Sequence, residues 1–206
     1  MNHYLFGELG FQGNREEYDD PRNSFLNDVM ARRLGLPITL SLVYIEVASM
    51  CRMPAEGIGF PGHFLVRWRG KDDVLIDAFN GRIVSDEAAA ALLREALGHD
   101  AVWSRAELRA ISPHAFLVRL LSNLKRHFAM AREFESALLC CERLLQLCPG
   151  SPEEIRDRGL VYEQLECWNA ARADLEQFLA LAPSHPSAKN IRARLAGVGQ
   201  KTTQVH

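Results

Sequence analysis

"FPGHFLVRW", residues 60–68, is the stretch on which the reading of this chain turns. As a strand it places His63, Leu65 and Arg67 on one face and Phe64, Val66 and Trp68 on the other. Ahead of it, Gly59 and Gly62 stand around Pro61 and permit a close approach of backbone to whatever sits against His63. A polar turn, "RGKDD" (69–73), leads to a second strand, "VLIDAF" (74–79), which ends at the turn pair Asn80-Gly81. Leu75 and Asp77 share a face of that strand. If Trp68 pairs with Asp72 around a three-residue loop, His63 faces Asp77 directly, whereas a one-residue slip separates them. An aspartate so placed fixes the tautomer of an imidazole and raises its basicity. It also satisfies a histidine that has only a structural task.

A histidine base needs something to activate, and the neighbouring helices are the place to look for it. "NSFLNDVMARR" (23–33) carries Phe25, Leu26, Val29 and Met30 at helical spacing behind a capping Asn23 or Ser24, and Gly35 is expected to stop it. Pro37 suits the first turn of a second helix, "PITLSLVYIEVASMC", whose apolar character all round makes it central to a core. The single cysteine of this half, Cys51, lies at that helix's far end. From Thr39 to Cys51 is about 18 Å of helix, and a thiolate gains most at a helix N-terminus. Pro37, Ile38, Thr39, Leu40 and Ser41 occupy that N-terminus, with no cysteine among them. Beyond the strands, "SDEAAAALLREAL" (85–97) reads as a helix capped by Ser85 with acids in its first turn.

From about Ile111 the period is helical throughout, and it repeats. An offset of 34 residues carries Pro149 onto Pro183, Ala137 onto Ala171, Phe128 onto Tyr162, Leu144 onto Phe178 and Leu147 onto Leu181. That period, with small, aromatic and proline positions in register, is the pattern of tetratricopeptide hairpins. Gly159 holds the small position of the second unit; the first has Lys125 there and is degenerate. Units at about 118–151 and 152–185 and a last helix at 185–197 follow, with the tail 198–206 expected to fray. Two regions result, 1–100 and 111–197, and the fold class is α+β followed by all-α hairpins. Arg119, Asn123, Arg126, Arg156 and Glu163 are candidate inner-face residues for a polar, charged peptide.

Composition narrows the function. The net charge of −2, with 48% hydrophobic and 24% charged residues, gives no footprint for nucleic acid or acidic lipid. No run of 18 apolar residues exists, so no membrane span is expected. Five cysteines, Cys51, Cys140, Cys141, Cys148 and Cys167, form no metal-spaced cluster and read as inert core thiols of a reducing compartment. The opening residues lack the basic and apolar regions of a signal peptide, and a cytoplasmic protein is expected. No cofactor or metal is indicated, since His63 and Asp77 offer only two ligands.

Three motifs, "NSFLNDVMARRLGLPITLSLVYIEVA", "GIGFPGHFLVRW" and "LIDAFNG", resemble the SirB-type branch of the transglutaminase-like superfamily, in which such a core precedes tetratricopeptide helices. The resemblance implies a small papain-like core with a central helix and antiparallel strands. The superfamily's site uses cysteine, histidine and aspartate in that order, and its histidine and aspartate carry over to His63 and Asp77. Its cysteine position falls at or close to Thr39, where no cysteine stands. The branch thus resembles a pseudo-enzyme, and its label, tied to regulation of invasion genes, implies a regulatory or adaptor role. Related proteins also carry additional helices before "YLFGELGFQGN", so the chain is expected to be shortened at its N-terminus. The expected function is an intracellular adaptor for a protein or peptide partner. The alternative is a cysteine-independent hydrolase or acyltransferase with His63 as base, Asp77 as orienter, and Thr39 or water as nucleophile.

Overall fold

The computed structural model describes residues 1–105 and 108–204. It divides into two compact units, the first ending at Phe116.

The first unit is built on a four-stranded antiparallel meander: β3 (Ala55–Ile58), β4 (Leu65–Trp68), β5 (Val74–Asp77) and β6 (Arg82–Val84). A two-stranded parallel ladder, β1 (Gln12–Gly13) with β2 (Leu34–Gly35), forms a separate sheet. The helix that sequence places at the centre is α2 (Pro37–Met50), and it packs against β3 and β4. One cluster joins Leu40, Val43 and Tyr44 of α2 to Val66 and Ile76 of the sheet and to Leu5, Phe11 and Val29. A second joins Ile58, Phe60, Leu65, Leu75 and Val84 to Ala89 of α3 (Asp86–Leu97). Covering both faces explains why β4 is almost entirely buried rather than alternately wet and dry. Ser85 caps α3 as the sequence requires, its hydroxyl accepting from the amide of Ala88.

The strand register differs from the expected one. Trp68 pairs with Val74, not Asp72, so the connection spans the whole of "RGKDD". Arg67 and Arg69 both turn to Glu56 and tie this end of β4 to β3; Arg67 Nε donates to Glu56 Oε1 at 2.5 Å. A shift of two residues preserves faces, so Leu65 and Leu75 still share a side.

The first helix also differs. α1 covers only Leu26–Arg32, with Phe25 at its N-cap. Asn23 is unavailable as a cap because it lies in a preceding 3₁₀ turn, Pro21–Asn23, with its amide hydrogen-bonded elsewhere. Arg33, in the left-handed region at φ 59°, ends the helix before Gly35 is reached. Gly35 serves another purpose: a Cβ there would stand 2.8 Å from Thr39 Oγ1. Of the apolar positions assigned to this helix only Val29 is buried, and Phe25, Leu26 and Met30 are exposed.

The second unit contains most of α4 (Pro113–Met130), then α5 (Phe134–Leu147), α6 (Pro152–Gln164), α7 (Trp168–Leu181) and α8 (Ala188–Gln204). The 34-residue offset recurs in the backbone. Arg132 and Glu166 both turn left-handed, at φ 62° and 58°, between the helices of a hairpin. The residues after them, Glu133 and Cys167, share φ/ψ near −85°/68° and −81°/64°. Cys148 and Ala182 close the second helices at −125°/72° and −135°/63°. Buried Ala137 and Ala171 and buried Leu144 and Phe178 occupy equivalent places. α8 runs on to Gln204, past the expected end at Gly197, because no proline follows Pro186 and glycine only weakens a helix.

Gly159 marks the crossing of α6 and α7. A Cβ there would meet the Leu175 side chain at 2.9 Å and Asp174 Cβ at 3.0 Å. Gly159→Ala is expected to cost about 1–3 kcal/mol by overpacking, offset only in part by the helix propensity of alanine. Urea titration of the variant measures this; a gain in stability would show that the crossing relaxes freely.

Candidate functional site

His63 stands before β4, in the turn that follows Phe60-Pro61, and Gly62 takes φ +65° to bring it there. Its Nε2 lies 3.0 Å from Asp77 Oδ1. The pair forms even though β4 and β5 are not in the directly facing register: Asp77 ends β5 level with the start of β4, and the imidazole reaches it diagonally. Phe79 meets the imidazole edge-on, with ring centroids 6.3 Å apart. The Asp77 carboxylate is 0% exposed and fully engaged. Its Oδ1 accepts from the amides of Phe79 (3.1 Å) and Asn80 (3.0 Å), and its Oδ2 accepts from Asn80 Nδ2 at 2.5 Å. Burial alone would raise the Asp77 pKa, but the contacts to His63 and Asn80 prevail and hold it below the ordinary value. An aspartate-oriented imidazole is therefore present.

Thr39 is spoken for. It is 1% exposed, its Oγ1 donates to the Asn23 carbonyl at 2.8 Å, and it accepts from the Leu36 amide at 2.9 Å. The second bond satisfies a donor that the helix start leaves over. Asn23 in turn receives Asn14 Nδ2 at 3.0 Å and donates to the carbonyls of Glu17 and Tyr18. A buried polar network thus ties the segment 14–23 to the start of α2, and every residue from Leu36 to Ser41 is buried. The threonine identity was legible in sequence; its distant partner, the Asn23 carbonyl sixteen residues away, carried no signal.

Cys51 is at the opposite end of α2 and exposed, as is Cys167, so these two are not the core thiols expected. Cys140 and Cys141 are buried, and burial pushes Cys141 up to about 12. A thiol reagent at neutral pH is expected to modify Cys51 and Cys167 rapidly in the native protein, and Cys140 and Cys141 only on unfolding. Peptide mapping after timed alkylation reads this; rapid native labelling of Cys141 would contradict the packing of α5. Among the described residues no three His, Cys, Asp or Glu side chains stand together to hold a metal ion.

A groove of about 490 Å³ lies in the helical unit. Lys125, Arg126 and Ala129 of α4, Phe134 of α5 and Asp157, Leu160, Val161 and Gln164 of α6 line it, with Arg194 of α8. Of the five residues assigned to an inner face only Arg126 lines this groove. Arg119 and Asn123 are half-buried on α4. Arg156 turns to Asp157 (2.9 Å from Nε), to Ser187 and over the Phe178 ring. Glu163 accepts from Arg194 Nη1 at 2.9 Å. One residue along a helix is about 100° of rotation, and on α6 the lining stripe is 157, 160, 161 and 164 rather than 156 and 163. Lys125, the residue that breaks the small-position pattern, bridges α4 to α6: its Nζ is 2.6 Å from both Glu154 Oε2 and Asp157 Oδ2.

No helix among the described residues is long and apolar enough to cross a membrane. Comparison with known proteins agrees with this architecture. A model of the transglutaminase-like superfamily matches residues 1–122, and a tetratricopeptide-repeat model matches residues 124–196. The chain is 42% identical over 211 residues to a UPF0162 protein of Xylella fastidiosa (strain 9a5c), an alignment covering all of the chain and 75% of that relative. It is 30% identical over 204 residues to protein SirB1 of Salmonella typhimurium, covering 98% of the chain and 76% of the relative. The same figures relate it to the UPF0162 protein YchA of Escherichia coli (strain K12). With a transglutaminase-like core, a histidine–aspartate pair and repeats of 34 residues all in place, the chain belongs to the transglutaminase-like superfamily, in the SirB1/UPF0162 branch that joins this core to tetratricopeptide repeats.

Proposed function

We propose that this chain is a cytoplasmic protein-binding adaptor whose transglutaminase-like core performs no acyl transfer. The observation that carries the reading is the state of the α2 N-terminus. It is buried from Leu36 to Ser41, holds no thiol, and has the Thr39 hydroxyl proton directed to a backbone carbonyl. An acyl enzyme needs a nucleophile within reach of its base and of solvent-borne substrate. A hydroxyl whose proton is already bonded inside the fold supplies neither. The helical repeats are then the working surface, and the His63–Asp77 pair braces the hairpin.

The competing reading, a hydrolase or acyltransferase that uses His63 as base, rests on the 3.0 Å contact to Asp77. Activated esters and a glutamine peptide with a primary amine discriminate between the two when offered to the protein and to His63→Ala. The adaptor reading expects no turnover above buffer for either. Turnover that disappears with His63 would overturn it. Partner retention, followed by quantitative mass spectrometry, is expected to survive His63→Ala and to fail in Arg126→Glu.

A further inference from the structure

We infer that the first unit holds a binding site for a carboxylate group, in a cleft between β1 and the turn after β5, with Arg15 as its anchor. The site lies outside the helical groove and goes beyond the adaptor reading. The cleft, of about 440 Å³, is of ligand-pocket size. Gln12, Gly13 and Arg15 line it together with Asn2, Phe79 and Asn80. Among the described lining residues Arg15 alone has a fixed charge, and none is an aspartate or glutamate. The acids near it in the chain are engaged elsewhere: Glu8 faces His3 at 3.5 Å, and Glu17 and Asp20 face Arg32 at 4.0 and 3.4 Å. Among the described residues Arg15 meets neutral groups only. Its Nη2 donates to Asn80 Oδ1, and its guanidinium carbon stands 5.8 Å from the centroid of the Phe79 ring.

These two contacts place the cation in advance of any ligand. Asn80 is not free to turn, because its Nδ2 donates to the buried Asp77 carboxylate and leaves Oδ1 for Arg15. Phe79 is fixed as well. Its carbonyl accepts from the Gly13 amide at 3.0 Å, and its ring fills the space that a Cβ at position 13 would need, 2.4 Å away. Asn80 takes one guanidinium donor, on Nη2. The other edge of the fork keeps two parallel N–H groups, the geometry that a carboxylate accepts as a pair. One cation matches one negative charge, so a phosphate dianion would be left half compensated. Asn2, whose oxygen accepts from the Tyr44 hydroxyl at 2.8 Å, still has donors for the body of a ligand, and the Gln12 amide offers a donor and an acceptor. A small acid and the C-terminal end of a peptide share this chemistry, and ligand size separates them.

The test titrates the isotope-labelled full chain at constant ionic strength, reading the Arg15 Nε–H and the Gly13 and Gly81 amides by nuclear magnetic resonance. The probes are propionate, N-acetylalanine and N-acetylalanylalanine, each beside its primary amide, and inorganic phosphate. At least one acid is expected to bind about tenfold more tightly than its amide and than phosphate, as a charge-assisted pair requires. Affinity that climbs with each added alanine identifies a peptide end; affinity that does not climb identifies a small acid. Arg15→Gln should weaken binding about tenfold with an unchanged circular dichroism spectrum, and Arg15→Lys should recover only part, because an ammonium lacks the fork. Amides or phosphate that bind as tightly as the acids would overturn the inference. So would undiminished binding by Arg15→Gln, or failure of every acid to approach saturation by about 50 mM. Each of these failures would leave partner retention by the helical unit, and with it the adaptor reading, unaffected.

Discussion

Asp77→Ala is expected to lower the stability of the N-terminal unit by about 3–5 kcal/mol, the range for breaking a buried charged contact by removing one partner. Two backbone amides, the Asn80 side chain and the His63 imidazole all lose their acceptor together, in a place that water does not reach. Asp77→Asn keeps one oxygen acceptor and is expected to cost less, about 1–3 kcal/mol. Urea titration should show a lower midpoint with an unchanged slope. Because contacts to His63 and Asn80 depress the folded-state pKa of Asp77, its ionisation stabilises the fold above the unfolded carboxylate value near 4. That stability is lost as pH falls through the lower, folded value. The gap between wild type and Asp77→Asn should therefore be widest above about pH 5 and narrow on acidification. A gap that stays constant down to pH 2 would mean that Asp77 is not ionised in the native protein. Loss of the pair without loss of stability would mean that the hairpin does not depend on it.

Lys125→Met should have the largest effect in the helical unit, about 3 kcal/mol. The methionine fits the space, but Glu154 and Asp157 are left facing each other with their shared counter-charge gone. Adding Glu154→Gln and Asp157→Asn should restore much of the loss, and a mutant cycle isolates the coupling. Burial by itself would lower the Lys125 pKa, yet its bonds to Asp157 and Glu154 outweigh burial and raise it. The sign of the pH dependence follows. The contribution is complete below the unfolded lysine value near 10.4 and disappears as pH rises through the folded one. Thermal melts of wild type and Lys125→Met should accordingly converge at strongly alkaline pH. If the single variant is as stable as the triple one at neutral pH, the bridge contributes nothing to the packing of α4 on α6.

How much of this was legible depends on whether the signal was local. The helical repeats were, because hairpin packing imposes its small and aromatic positions on neighbours along the chain, and Ala137, Ala171 and Gly159 stand where the pattern put them. The shared face of Leu65 and Leu75 was legible too, since alternation survives a two-residue change of register. The register itself was not. "RGKDD" has no residue that compels one loop length. The capping error at Asn23 has the same origin. Its side chain is an adequate cap in isolation, but the tertiary fold uses it to bind residues 14, 17 and 18 instead. Around the groove, Arg156 and Glu163 stand next to the lining stripe of α6, each held by a partner within the fold.

The recurrence of backbone angles at Arg132 and Glu166, and again at Cys148 and Ala182, has a consequence for how such a chain changes over generations. When every junction has the same geometry, duplication of a whole hairpin presents the new copy with the same docking surface as the old one. Length can then change in steps of one hairpin, while insertions of any other size break the phase of everything that follows. Each duplication also supplies a spare lining helix, on which residues can diverge without disturbing the first. The recognition surface is in this sense free to vary separately from the packing that supports it.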